Sequence, residues 1–201
     1  MDSSGAYPAV LSHVFDYQSK HDVQALIRML NSPVERSPDQ TIRGAAARAL
    51  GRLGDPRAGR PLMQLLDDPS PTVRFTAAYA VGKVDCREAA PQLIALLTDA
   101  DVPTRNAAIQ SIGLIKAEEA VPFLYQSLDA PDCWTRLYAA EALVRLGDPS
   151  IVSRLPALAK RDKRFAFARR RRWQHLVKTT PNVGCPEALE DQRRMDGRTG
   201  L

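Results

Sequence analysis

Cysteine is scarce in this chain of 201 residues. Cys86, Cys133 and Cys185 are odd in number, far apart and free of any C-x-x-C spacing, which argues against a disulfide framework and against a clustered zinc site. Histidine is equally sparse. His13, His21 and His175 are dispersed and none precedes a glutamate, so paired His-Glu metal ligands are missing. No serine or cysteine has a recognisable base nearby in sequence, so an activated nucleophile is not indicated. No apolar run approaches the roughly 18 residues that a membrane span needs. Met1 to Leu11 lacks a basic segment followed by an apolar stretch, the pattern of a secretory leader. These absences lead us to expect a cytoplasmic protein without a metal, a cofactor, catalytic residues or a membrane span.

What is present is a repeat. Arg43, Arg74, Arg105 and Arg136 stand 31 residues apart, each opening an R-x-x-A-A-x-A-[LV]-G-like phrase. Small residues recur three and four positions later (Ala46 and Ala47, Ala77 and Ala78, Ala108 and Ile109, Ala139 and Ala140). Gly51, Gly82, Gly113 and Val144 recur eight positions later. Those offsets lie along one side of a helix and let a second helix approach closely. A Gly-Asp-Pro turn follows at Gly54-Asp55-Pro56 and again at Gly147-Asp148-Pro149, with glycine placed to end one helix and Asp-Pro placed to start the next. Paired apolar residues such as Leu62, Met63, Leu65 and Leu66 then mark a second helix, so each unit reads as a helical hairpin. A fixed period of this length predicts an all-α fold, an α-solenoid of stacked antiparallel helix pairs.

The motif R-x-x-A-A-x-A-L-G-x-L-G-D-P, complete from Arg43 to Pro56, resembles the HEAT repeat, in the short form called the phycobilin-lyase type. The third unit departs most, with Ile109 in an alanine column and Lys116-Ala117-Glu118 at the turn. The resemblance implies first helices on the outer side of a curved stack and second helices on the inner side. Most members of the broad class bind other proteins, some assist bilin attachment to phycobiliproteins, and a distant group are metal-dependent hydroxylases. Fold alone does not choose among these activities.

The expected organisation is a degenerate N-terminal repeat and linker over 1–38, four repeats of 31 residues over 39–159, a basic capping helix over 160–180 and a flexible tail over 181–201. Leu26 to Leu30 reads as the second helix of the degenerate unit. The linker before Arg43 is five residues longer than its counterpart in the next unit, and it carries Pro33 and Pro38.

Each repeated arginine follows an acid by four to seven residues, so Arg43, Arg74, Arg105 and Arg136 are expected to form a structural ladder of hydrogen bonds to carboxylates or carbonyls. Columns that packing does not dictate are the candidates for partner binding. One, five and nine residues after the arginines lie Gly44, Arg48 and Arg52; Phe75, Tyr79 and Lys83; Asn106, Gln110 and Leu114; and Leu137, Glu141 and Arg145, each trio on one outward stripe. Phe75 and Tyr79 form either an exposed aromatic spot for a protein partner or a pair of rings that cover each other. Trp134 occupies a turn position filled elsewhere by Thr72 and Pro103. On the second helices the candidates are Arg57, Arg60, Phe123 and Arg154, set in a surface of mixed charge.

The net charge of +5 is concentrated after the last unit, where Arg169, Arg170, Arg171 and Arg172 follow Phe165 and Phe167 and precede Trp173. Such a segment can grip phosphates, meet an acidic protein or an anionic membrane, or cap the solenoid. The resulting expectation is a non-catalytic protein-interaction scaffold or adaptor, docking through its inner surface and its basic C-terminal helix. The alternatives are a nucleic-acid-binding solenoid and a bilin lyase or chaperone subunit for a phycobiliprotein-like partner.

Overall fold

The computed structural model describes residues 6–31 and 40–161. The Pro33–Pro38 linker, the cations Arg169 to Arg172 and the tail 181–201 lie outside them. The chain divides after Asp148 into two compact units. In the first, α1 (Ala6–Ser19) and α2 (Val23–Asn31) precede a regular series. Long first helices α3 (Gln40–Leu53), α5 (Pro71–Lys83), α7 (Val102–Ile115) and α9 (Cys133–Leu146) alternate there with short second helices α4 (Gly59–Met63), α6 (Ala90–Ala95) and α8 (Val121–Ser127). The second unit contains α10 (Ser150–Arg161), on which Ile151 and Leu155 are buried and Arg154 is exposed. The fold is an all-α solenoid of stacked helix pairs, and no strand occurs among the described residues.

The first helices stack on one another through their small residues. A β-carbon placed on Gly51 would lie 2.8 Å from the Ala80 Cβ, and one on Gly113 would lie 3.1 Å from the Ala142 Cα. The first distance is shorter than real side chains show and the second is tighter than most, so the glycine column sets how near α3 comes to α5 and α7 to α9. Hydroxyls fasten the same seam. Ser111 Oγ donates to the Ala78 carbonyl at 2.7 Å, Thr104 Oγ1 to the Pro71 carbonyl at 3.2 Å and Thr135 Oγ1 to Asn106 Oδ1 at 2.8 Å.

The four first helices end alike although their residues differ. Gly54, Asp85, Lys116 and Gly147, again 31 apart, all take a left-handed conformation with φ between 53° and 77°. At α9 the reversal lets the Gly147 amide reach the Val144 carbonyl and the Asp148 amide the Leu143 carbonyl, so carbonyls at the helix end are satisfied. The second helices are shorter than their apolar residues suggest, and each opens with a 3-10 turn. Pro91 and Pro122 fall in the first turns of α6 and α8, where a missing N–H costs nothing. Leu65 and Leu66 are buried beyond the end of α4.

The period breaks at the N-terminal end of the stack. The face that α1 turns to α3 carries Leu11, Val14, Phe15 and Gln18 rather than glycine and alanine. α1 therefore meets α3 through bulky side chains and not through a glycine-alanine seam. An open space of about 470 Å³ remains between α1, α3 and the first turns of α5.

Candidate functional site

The repeated arginines face the seam between successive units. Arg43 donates to both oxygens of Asp68 (Nε to Oδ2 2.7 Å, Nη2 to Oδ1 3.0 Å), and Arg74 clasps Asp99 in the same way (2.8 and 3.0 Å). Each carboxylate lies 25 residues on, in the turn that leads into the next first helix, rather than ahead of the arginine. The remaining Arg74 nitrogen donates to carbonyls of its own turn, those of Asp68 and Pro69. Arg105 bonds the Asp99 and Ala100 carbonyls and stands 3.8 Å from Asp132, while Arg136 bonds the Ala130 and Pro131 carbonyls. Hydrogen bonds from Arg74 hold the Asp99 carboxyl below the ordinary carboxylate range, against the opposing effect of burial. These arginines are tied into the scaffold and so are poorly placed to meet a ligand.

The face presented by the first helices has another character. Neither α3 nor α5 contains an aspartate or glutamate. Arg48 and Arg52 stand exposed on α3, and Phe75, Tyr79 and Lys83 on α5, each set spaced by one helical turn. Tyr79 pairs with a cation: Lys83 Nζ lies 5.1 Å from its ring centroid. Phe15 on α1 is 69% exposed, more than any other large apolar side chain described. The outward stripe does not continue unchanged along the stack. Asn106, Leu137 and Glu141 are buried, Asn106 because its amide oxygen accepts from Thr135 on the next first helix.

The space beside α1 opens onto this face. Leu11, Val14 and Phe15 form one wall, Gly44, Ala45 and Arg48 part of the other, and Thr72 and Thr76 close one end. Gly44 adds no bulk to its wall, and Arg48 and Arg52 border the same space from α3. No acceptor among the described residues pairs with either arginine.

The second-helix side is mixed in charge. Arg57 is exposed but turns back onto Asp55, its Nη2 2.7 Å from Oδ2, and Arg60 is exposed on α4. Glu88, Glu118 and Glu119 are exposed in the corresponding turns of later units. Phe123 on α8 is 43% exposed. Trp134 lies in the first turn of α9, half exposed and stacked on Tyr138 with ring centroids 6.0 Å apart. The structure therefore places Phe75 and Tyr79 together on a first helix, Arg57 and Arg60 at the second helix of one unit, Phe123 on the second helix of another, and Trp134 at a helix start.

Cys86 is buried beside Met63 and Glu88, and burial first, then the neighbouring carboxylate, pushes its thiol up, away from the thiolate that nucleophilic chemistry needs. No group of three potential metal ligands occurs among the described residues. No helix among them is long and apolar enough to cross a membrane.

A family model of HEAT repeats matches residues 23–111 and 90–173, together reaching from Val23 to Trp173. The chain belongs to the HEAT-repeat family. No curated protein matches this HEAT-repeat protein. Among solved structures, a chain from the complex of CpcE and CpcF of phycocyanin lyase from Nostoc sp. PCC7120 is similar to it, with 28% sequence identity and a TM-score of 0.63. The match covers 77% of this HEAT-repeat protein and 65% of that chain, just under two thirds of its length, and it places the repeats in the phycobilin-lyase-type class. An engineered protein is 19% identical over 75% of this HEAT-repeat protein and 73% of its own length, with a TM-score of 0.54, a likeness of fold alone.

Proposed function

We propose that this HEAT-repeat protein is a non-catalytic scaffold or adaptor that docks a protein partner on the first-helix face of its stack. The acid-free surface of α3 and α5 carries this reading, because it sets Phe75 and Tyr79 beside the exposed cations Arg48, Arg52 and Lys83. Exposed aromatics flanked by cations supply apolar area together with charge that selects a partner. The second-helix surface, where the sequence alone directs attention, is mixed in charge and gives weaker grounds. Affinity capture from native lysate tests the proposal. A protein partner should survive nuclease treatment with the wild type and fall about tenfold or more with Phe75→Ser/Tyr79→Ser, equivalent to roughly 1.4 kcal/mol. Both side chains are exposed, so the variant should keep its helicity. Loss of the captured material on nuclease treatment would contradict the proposal and transfer the function to nucleic acid held by Arg169 to Arg172, a reading that no described residue supports.

A second reading draws on the similarity to the phycocyanin lyase complex. In it, this HEAT-repeat protein is one subunit of a two-protein lyase or chaperone for a phycobiliprotein-like partner. The 28% identity, over most of the chain, is the observation in its favour. Incubation with a bilin and an acceptor protein, followed by absorbance and intact mass, decides it: a covalent adduct supports the reading and an unchanged acceptor removes it.

A further inference from the structure

The geometry points to the groove between α1, α3 and α5 as the seat of an acidic amphipathic helix contributed by the partner protein. This inference rests on the docking function proposed above and specifies its contact.

Charge selects the sign of the occupant. Arg48 and Arg52 are exposed at the groove rim, one helical turn apart, with no acceptor pairing them among the described residues. Lys83 extends the cationic side along α5, and neither α3 nor α5 supplies an acid. On α1 the nearest carboxylate in sequence to Phe15, that of Asp16, is already bonded to Lys20 at 2.8 Å. A basic occupant would meet repulsion from Arg48 and Arg52.

Shape selects a helix. The groove walls are helix faces whose backbone groups are already bonded within α1, α3 and α5, so they offer no edge for an added strand. An apolar ridge can instead lie between Leu11, Val14 and Phe15 on one side and Gly44 and Ala45 on the other. The α3 wall runs from Gln40 to Arg52, about 18 Å at 1.5 Å per residue, enough for roughly three helical turns of partner. Apolar residues at i, i+3, i+4 and i+7 would fill the groove, and carboxylates flanking that stripe would reach Arg48 and Arg52.

The test uses the full chain and a capped, fluorescent peptide of about 14 residues with leucine at i, i+3, i+4 and i+7 and glutamate elsewhere. A second peptide replaces every glutamate with lysine. The acidic peptide should bind, gain helicity on binding and weaken tenfold or more with Arg48→Glu/Arg52→Glu; Phe15→Ala should weaken it severalfold, and the basic peptide should not bind. Absence of acidic-peptide binding, equal binding by the charge-reversed variant, or preferential Arg48- and Arg52-dependent binding of vesicles containing anionic lipid would overturn the assignment. Capture from lysate by the same variants separates the two levels of the account. A protein partner still held by both forms while the peptide fails leaves docking standing and removes the groove; no protein partner with either form removes docking itself.

Discussion

A methyl group added to Gly82 would sit 2.7 Å from the Cβ of Ser111 and 2.9 Å from its Cα. Neither atom can swing aside, so α5 and α7 must separate and the Ser111 to Ala78 hydrogen bond must stretch. Gly82→Ala is expected to lower stability by about 1–3 kcal/mol, read as a lower denaturant midpoint at unchanged slope. Lys116 presents the opposite case. Its φ of 55° places a β-carbon where an L-residue is disfavoured by about 1–2 kcal/mol, and glycine would relieve that while losing roughly 0.5–1 kcal/mol of chain entropy. Lys116→Gly should therefore leave the protein unchanged or more stable by up to about 1.5 kcal/mol in the same measurement. The glycine column was legible because small residues at a fixed offset have one common physical use. The left-handed turns at Asp85 and Lys116 were not, since neither residue announces that conformation and only the equivalence of position to Gly54 and Gly147 reveals it.

At the scale of the helical elements, the arginine clamps tie a first helix to the turn that leads into the next first helix. The Arg74–Asp99 pair is bidentate and mostly buried, whereas Arg105 and Asp132 approach only to 3.8 Å. A double-mutant cycle is expected to return a larger coupling energy for the first pair than for the second. Asp99→Asn should cost about 1–3 kcal/mol at neutral pH. The pH dependence follows from the depressed Asp99 value. The folded carboxyl titrates below its unfolded counterpart, so its contribution is complete above about pH 4 and is lost as pH falls through the folded value. Unfolding measured at neutral pH and at about pH 3 should thus show a smaller acid loss for Asp99→Asn than for the wild type. Sequence located the arginines and the preceding turns whose carbonyls accept from Arg74, Arg105 and Arg136, but not the carboxylate partners of Arg43 and Arg74. The acids that precede each arginine lie close along the chain, while folding brings Asp68 and Asp99, from the turn before the next first helix, into reach of Arg43 and Arg74.

At the scale of the whole molecule, the exposed side chains of the two helix layers differ in charge, and this difference bears on function. The repeat unit, the all-α class and the stripe containing Phe75 and Tyr79 could all be read from periodicity. The groove could not. It arises where the regular stack meets α1, a helix with no arginine phrase and with bulky residues in place of the glycine-alanine seam, so no column alignment reaches it. If that face engages a partner through Arg48, Arg52 and Lys83, affinity should fall as salt rises from about 0.05 to 0.5 M, because these exposed charges are screened within a few ångströms at high ionic strength.

Hydroxyl-radical footprinting of the complex with the captured protein tests the central claim most directly, since the exposed aromatic side chains are distributed over opposite layers of the stack. Phe15, Phe75 and Tyr79 should lose reactivity on binding while Phe123 keeps it. Protection of Phe123, with Phe15, Phe75 and Tyr79 unchanged, would place the partner on the second-helix surface and contradict the claim.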